Sequence, residues 1–301
     1  MRILASWLLC IAASYSLSAQ CFLPLANPKS SNPAEWVELK QFTPPPQLLN
    51  QKDIVKAQKI TDGDGNINLD YYEVTFQKKD SAANTFKMIR SQFGYLAHSE
   101  EGLYETESDK YFHPYQASTD PNDPVFARNQ KLWLSNDPTG ALMSFILAST
   151  NPPAFSVTFK GVRAVMEQGD VLVTCATSTD FIFSTMKTVN GGFHPVNGNR
   201  GFGIRDNGNN TLTFYTKGAD RLPVAATVTD ENGVAKNVGY LGNFILESGV
   251  MPGYSGPDAV FQAGHQFWLE FFGNLTDLLR KRGATVVNNS FIANSHRYAY
   301  P

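Results

Sequence analysis

Charge is what this sequence has least of: Asp, Glu, Lys and Arg together make up 17% of its 301 residues, against about 25% in an average globular domain. The 25 basic and 27 acidic side chains leave a net charge of −2, so the basic footprint that neutralises phosphates is missing and a nucleic-acid partner is excluded. Histidine, at five, and cysteine, at three, are also scarce. No His-x-x-x-His, Cys-x-x-Cys or His-Glu-x-x-His occurs, which removes the usual spacings of structural and protease zinc sites. The nearest approach to a nucleophile elbow, Gly253-Tyr254-Ser255-Gly256-Pro257, fails at its last position and leads into a helix from a Pro/Gly loop. An α/β-hydrolase is therefore unsupported. Gly198-Asn199-Arg200-Gly201-Phe202-Gly203 has its glycines at the wrong offsets and precedes a strand, whereas a dinucleotide loop opens a helix. No apolar run approaches the roughly 20 residues of a membrane span. The most apolar internal segment, residues 141–148, is soon followed by Asn151-Pro152-Pro153.

Aromatic residues are plentiful at 12%, with 21 Phe, and Asn and Thr replace the missing charge. Disordered chains are aromatic-poor and charge-rich, so this one folds. Residues 1–19 have a positive start, a short apolar run and small residues ending at Ala19, the layout of a cleaved secretory signal. The expected location is secreted or periplasmic; a lipid anchor on Cys21 is disfavoured by Gln20 before it. Cys21 and Cys175 then remain. An oxidising compartment permits a bridge between them, but two separate thiols, one on a buried strand and one on a mobile N-terminus, are preferred. Sequons begin at Asn209, Asn274 and Asn288.

Prolines at 24, 28, 33 and 44–46 make residues 20–47 an extended lead segment without long helices. Residues 48–301 are expected to form one large domain with an internal joint near 120–124. Ile54–Ile60 and Ile67–Phe76 suggest a hairpin around Asp62–Asn66, and Phe86, Ile89, Phe93 and Leu96 fall on one helical face. A short helix near Val125–Leu134 follows. The second half reads mainly as strands: Val162–Met166 and Val171–Thr177 around a turn at Glu167–Asp170, then Phe181–Thr188. Gly201–Arg205 and Thr211–Lys217 flank the turn Asp206–Asn210. Phe202, Ile204, Leu212 and Phe214 would share a buried face. A helix from about Asp258 to Arg282 carries Phe261, His265, Trp268, Phe272, Leu275 and Leu279 along one stripe and ends at Gly283. The fold class this predicts is α+β: a curved antiparallel sheet packed on a long C-terminal helix, with a mixed N-terminal half. In outline it is similar to helix-grip folds that enclose apolar ligands.

Residues 62–73 resemble an EF-hand loop, with Asp62, Asp64, Asn66, Asp70 and Glu73 at oxygen-ligand positions. Ile67 stands where that loop has Gly, and the residues after Asp70 look like a strand, so a Gly-rich turn is preferred to calcium and no cofactor is required. His194, Arg200, Arg205, Asp206, Asp220 and Arg221 form the main polar cluster. The leading expectation is a binding protein for a small, largely apolar ligand with an anionic end. Phe214, Tyr215, Trp268 and Phe272 would supply wall, Arg200 or Arg221 would meet the anion, and His194 and His265 would be polar contacts. One alternative is an extracellular or envelope interaction protein without a small-molecule site, recognising partners through loops near Tyr104–Tyr115 and Asn197–Asn210. The other is a hydrolase using His194 with Asp206 or Asp220; an enzyme is the less favoured class.

Overall fold

The computed structural model describes residues 20–97, 112–118, 120, 122–147, 158–159, 162–163, 167–191, 194–223, 226–229, 235–238 and 259–300. Thirteen strands are described: β1 (Ile54–Ala57), β2 (Gly63–Gln77), β3 (Phe112–Pro114), β4 (Leu142–Leu147), β5 (Thr158–Phe159), β6 (Val162–Arg163), β7 (Glu167–Ala176), β8 (Asp180–Thr188), β9 (Asn197–Asp206), β10 (Thr211–Pro223), β11 (Ala226–Thr229), β12 (Ala235–Val238) and β13 (Ile292–Tyr298). The helices are α1 (Val37–Gln41), α2 (Ala82–Ser91), α3 (Phe93–Leu96), α4 (Pro124–Leu134) and α5 (Ala259–Lys281). The fold is α+β. Nine strands form one antiparallel sheet, not closed on itself, in the order β13-β2-β10-β9-β8-β7-β4-β3, with β1 pairing beside β8. β5–β6 and β11–β12 pair separately.

Strand alternation divides the aromatics between the two faces of the sheet. On one face Tyr72, Val74, Phe76, Phe181, Phe183, Phe202, Ile204, Leu212 and Phe214 meet α2, α3, Trp133 of α4, and α5. Phe93 sits at the centre of this layer, its ring within 4.7–6.3 Å of seven other aromatic rings. On the opposite face Ile67, Leu69, Tyr71, Ile182 and Tyr215 pack against Phe22, Leu25, Trp36 and Leu39. The Pro-rich lead segment is therefore part of the core. Its prolines break it into short turns, but Trp36 and Leu39 are fully buried, and each such side chain contributes about 2–3 kcal/mol. Lys217 Nζ reaches across to Glu38 Oε1 (2.5 Å) and the Leu23 carbonyl (3.1 Å). A disulfide joins Cys21 to Cys175. The expectation of two separate thiols is corrected: the packed lead segment brings its first cysteine to the end of β7.

The helical segment carrying Phe86 to Leu96, the α4 helix and the β9–β10 hairpin lie where the sequence places them, except that the first is two helices, α2 and α3, broken at Gln92. The hairpin turn uses φ of 76° at Gly208 and 61° at Asn210. α5 ends at Gly283, φ 76°, with Ala284 N–H donating to the Leu279 carbonyl, a left-handed cap. Other expectations change. α5 is not the last element, because β13 follows it and pairs with β2. β1 and β2 do not form a hairpin: β1 pairs with β8. β7 runs straight through Glu167–Asp170, where a turn was expected. Asn197–Asp206 is a mostly buried strand and not a recognition loop, so only the exposed residues 207–210 remain as a turn. Most of Tyr104–Tyr115 lies outside the described residues.

Candidate functional site

On the helix-facing side, the pattern of β2 changes partway along the strand. Tyr72, Val74 and Phe76 belong to the aromatic layer, but Asn68 and Asp70, on the same face by alternation, are polar and only 3% and 2% exposed. Buried carboxylates require partners, and these come from across the sheet. Gly218 of β10 pairs with Asp70 on one side and Arg200 on the other. With no side chain between them, Arg200 reaches over β10 to Asp70, its Nη2 lying 2.8 Å from Oδ2 and 2.7 Å from Oδ1. A Cβ at Gly218 would collide with Arg200 Nη2 and Asp70 Oδ1, so this glycine is required by a close approach. The same Nη2 donates to Asp220 Oδ2 at 3.3 Å. The Trp268 ring of α5 lies over the guanidinium at 4.3 Å, a cation–π contact strengthened by desolvation.

Two buried carboxylates thus share one guanidinium nitrogen. Burial pushes the Asp220 carboxyl up to about 7, against the lowering effect of Arg200. The raised value means the folded protein binds a proton there that the unfolded chain releases near pH 4. That contribution to stability is complete below about pH 4 and is lost as pH rises through about 7. Asp220→Asn stays neutral throughout. The melting temperature of this variant, measured against wild type, is expected to rise between pH 5 and pH 8; a constant difference would contradict the shared-carboxylate arrangement.

The network continues toward the edge of the sheet. Arg297 and Ser295 of β13 pair across from Asn68 and Asp70. Arg297 Nη1 donates to Asn68 Oδ1 and Ser295 Oγ, and its guanidinium lies 4.4 Å from the Phe261 ring centre. Tyr72 Oη and His265 Nδ1 are 2.7 Å apart. Burial raises the Tyr72 hydroxyl above its usual range and lowers the His265 imidazole, so the hydroxyl keeps its proton and the ring is neutral. The hydroxyl donates to Nδ1, which leaves the ring proton on Nε2. Between α5 and β13 an open cleft of ≈ 710 Å³ is lined by Gln262, His265, Gln266 and residues 293–297.

The residues singled out from sequence are dispersed. Phe214, Trp268 and Phe272 lie in the aromatic layer and fill it, with Phe214–Phe272 at 5.8 Å and Phe202–Trp268 at 5.5 Å. Tyr215 points to the opposite face, stacked with Tyr71. Arg200 is taken up by Asp70 and Asp220. Arg221 donates to the carbonyls of Ile60 and Gly65 and lies 4.0 Å from the Tyr300 ring centre. Arg205 binds Glu73 and Asn207, and Asp206 binds Lys78. His194 is held by Gln58 and Val196, and burial lowers it to about 4. It precedes β9 while Asp206 ends it; ten residues at ~3.3 Å each put them about 30 Å apart. Asp220 meets Arg200 and not His194.

The calcium-loop arrangement is likewise corrected. Asp64, Asn66, Asp70 and Glu73 all lie on the single strand β2, 15 residues long, which spreads Asp64 and Glu73 over about 30 Å. Asp62 precedes it in a short turn. Four ligands strung along a strand, with the fifth before it, cannot surround one ion. Among the described residues no group of three or more His, Cys, Asp or Glu side chains is placed to hold a metal, and no helix is long and apolar enough to cross a membrane.

Of the cleft residues, the sequence pointed only to His265. Ser295 and Arg297 were missed, as was Tyr72, which holds His265 from behind the cleft. The legible signal was the pair Asn68 and Asp70 on a strand face that becomes wholly apolar beyond them. A scan against protein-family models matches none, and a search of curated proteins finds no similar chain. The site itself therefore carries the functional argument.

Proposed function

We propose that this is a secreted or periplasmic binding protein for a small ligand with an anionic end, held in the cleft between α5 and β13. The observation that carries the reading is the cleft itself: its ≈ 710 Å³ falls within the ~300–1,000 Å³ of small-molecule sites. His265 and Arg297 both line it, and N–H donors of this kind suit a carboxylate. The ligand's apolar part would lie against Ala293 and the methylene stems of Gln262 and Gln266. The outline remains helix-grip-like in this proposal, but the ligand sits at the rim of the helix–sheet layer and not inside it. The signal-like residues 1–19 and the Cys21–Cys175 bridge both fit an oxidising compartment.

Calorimetric titration with decanoate tests the reading, with decanol as the uncharged control of equal chain length. Saturable binding of decanoate alone is expected. Gln262 is exposed, and Gln262→Trp would fill the cleft and weaken binding at least about tenfold, since each ~1.4 kcal/mol is a factor of ten, with no change in melting temperature. Binding untouched by this substitution, or none at all, would overturn the proposal. The packed aromatic layer favours a second reading, an extracellular interaction protein without a small-molecule site. Absence of decanoate binding would move the balance to it.

A further inference from the structure

The cleft and the buried ionic cluster behind it are one electrostatic unit. Arg297 reaches Asn68 and Ser295, which flank Asp70 along β2 and across β13. Asp70 shares Arg200 Nη2 with Asp220. Among the described residues, the charged and titratable groups facing Asp220 are Arg200 on β9, Asp70 and Tyr72 on β2, Arg297 on β13 and, through Tyr72, His265 on α5. An incoming carboxylate adds a third negative charge next to a buried pair that already shares a single nitrogen. Like charges at such separations in a desolvated site do not all stay ionised.

Resting on the anionic-ligand reading above, we infer that the cleft takes a monocarboxylate and that its binding is coupled to uptake of one solvent proton by Asp220. The proton comes from the buffer and ends on an Asp220 carboxyl oxygen; no covalent bond changes. The proton offsets the ligand's charge, and Arg200 keeps its contact with Asp70. Affinity follows from this: it is greatest where Asp220 is readily protonated and falls as pH rises. A phosphate dianion would need two compensating charges, and one proton on Asp220 supplies only one.

Binding of decanoate to the full chain is measured at pH 7.5 in HEPES and in Tris, whose ionisation enthalpies differ. The apparent heat should depend on the buffer with a slope of roughly half a proton per ligand, as for a group titrating near 7 whose pKa rises by about one unit. Affinity should fall several-fold between pH 6 and pH 8. In Asp220→Asn both the slope and the pH dependence should vanish. A slope that persists in that variant places the proton elsewhere, on His265, and overturns the inference. Should the variant fail to fold, His265→Gln decides: the slope is expected to persist in it, and its loss would overturn the inference. Decanoate binding with zero slope and a flat profile overturns the coupling and leaves the ligand reading standing; no decanoate binding overturns both.

Discussion

Phe93→Ala is expected to destabilise the protein by about 3–5 kcal/mol, the range for removing a fully buried phenyl ring. The reason is the position of Phe93 and not its size alone. It is 1% exposed and touches rings from β3 (Phe112), α4 (Trp133), β4 (Phe145), β8 (Phe181, Phe183), β9 (Phe202) and α5 (Phe271). Removing it leaves these elements with a cavity that none can fill by itself. Domains are stable by only about 5–15 kcal/mol, so this loss takes a large share. Urea denaturation measures it. Phe93→Leu, which keeps most of the volume, should lose much less; a loss under 1 kcal/mol for the alanine variant would mean the layer is loosely filled.

Loss of the Cys21–Cys175 bridge has an effect of similar size with a different origin. The cysteines are 154 residues apart in sequence, and closing a loop that long restricts the unfolded chain by about 5 kcal/mol in the chain-entropy treatment. Removal of native disulfides typically costs about 2–5 kcal/mol. The bridge also fixes the lead segment on the face where Phe22, Trp36 and Leu39 pack. Cys21→Ser with Cys175→Ser is therefore expected to lower the urea midpoint and to speed amide exchange first in residues 21–42. Uniform exchange across the chain, with the midpoint unchanged, would show that packing alone holds the segment.

Much of the helix-facing layer was legible because its signals are local. The spacing of Phe86, Ile89, Phe93 and Leu96, the stripe from Phe261 to Leu279, and Asn207-Gly208 between two alternating segments each specify an element within a few turns of chain. The rest was hidden because it depends on distant partners. β13 has the polar sequence Ile-Ala-Asn-Ser-His-Arg-Tyr and becomes a strand by pairing with β2. The lead segment looks extended, yet Trp36 is buried because the far face of the sheet offers Leu69, Tyr71 and Tyr215. Arg200 and Asp220 both stood out in the polar cluster, but their contact with each other could not be read from the sequence. Their partner Asp70 stood out only as one oxygen-ligand position of a calcium-like loop, because only the pairing of β2 with β10 brings it beside Gly218 and Arg200.

We propose that the ligand binds at the rim, between α5 and β13, and not within the packed aromatic layer. Amide chemical-shift mapping during a decanoate titration tests it directly. The expected shifts are at Gln262, His265, Gln266, Ser295 and Arg297, with Phe214, Phe202 and Phe93 unmoved. Shifts centred on Phe202, Phe214 and Trp268 would place the ligand inside the layer and contradict the account.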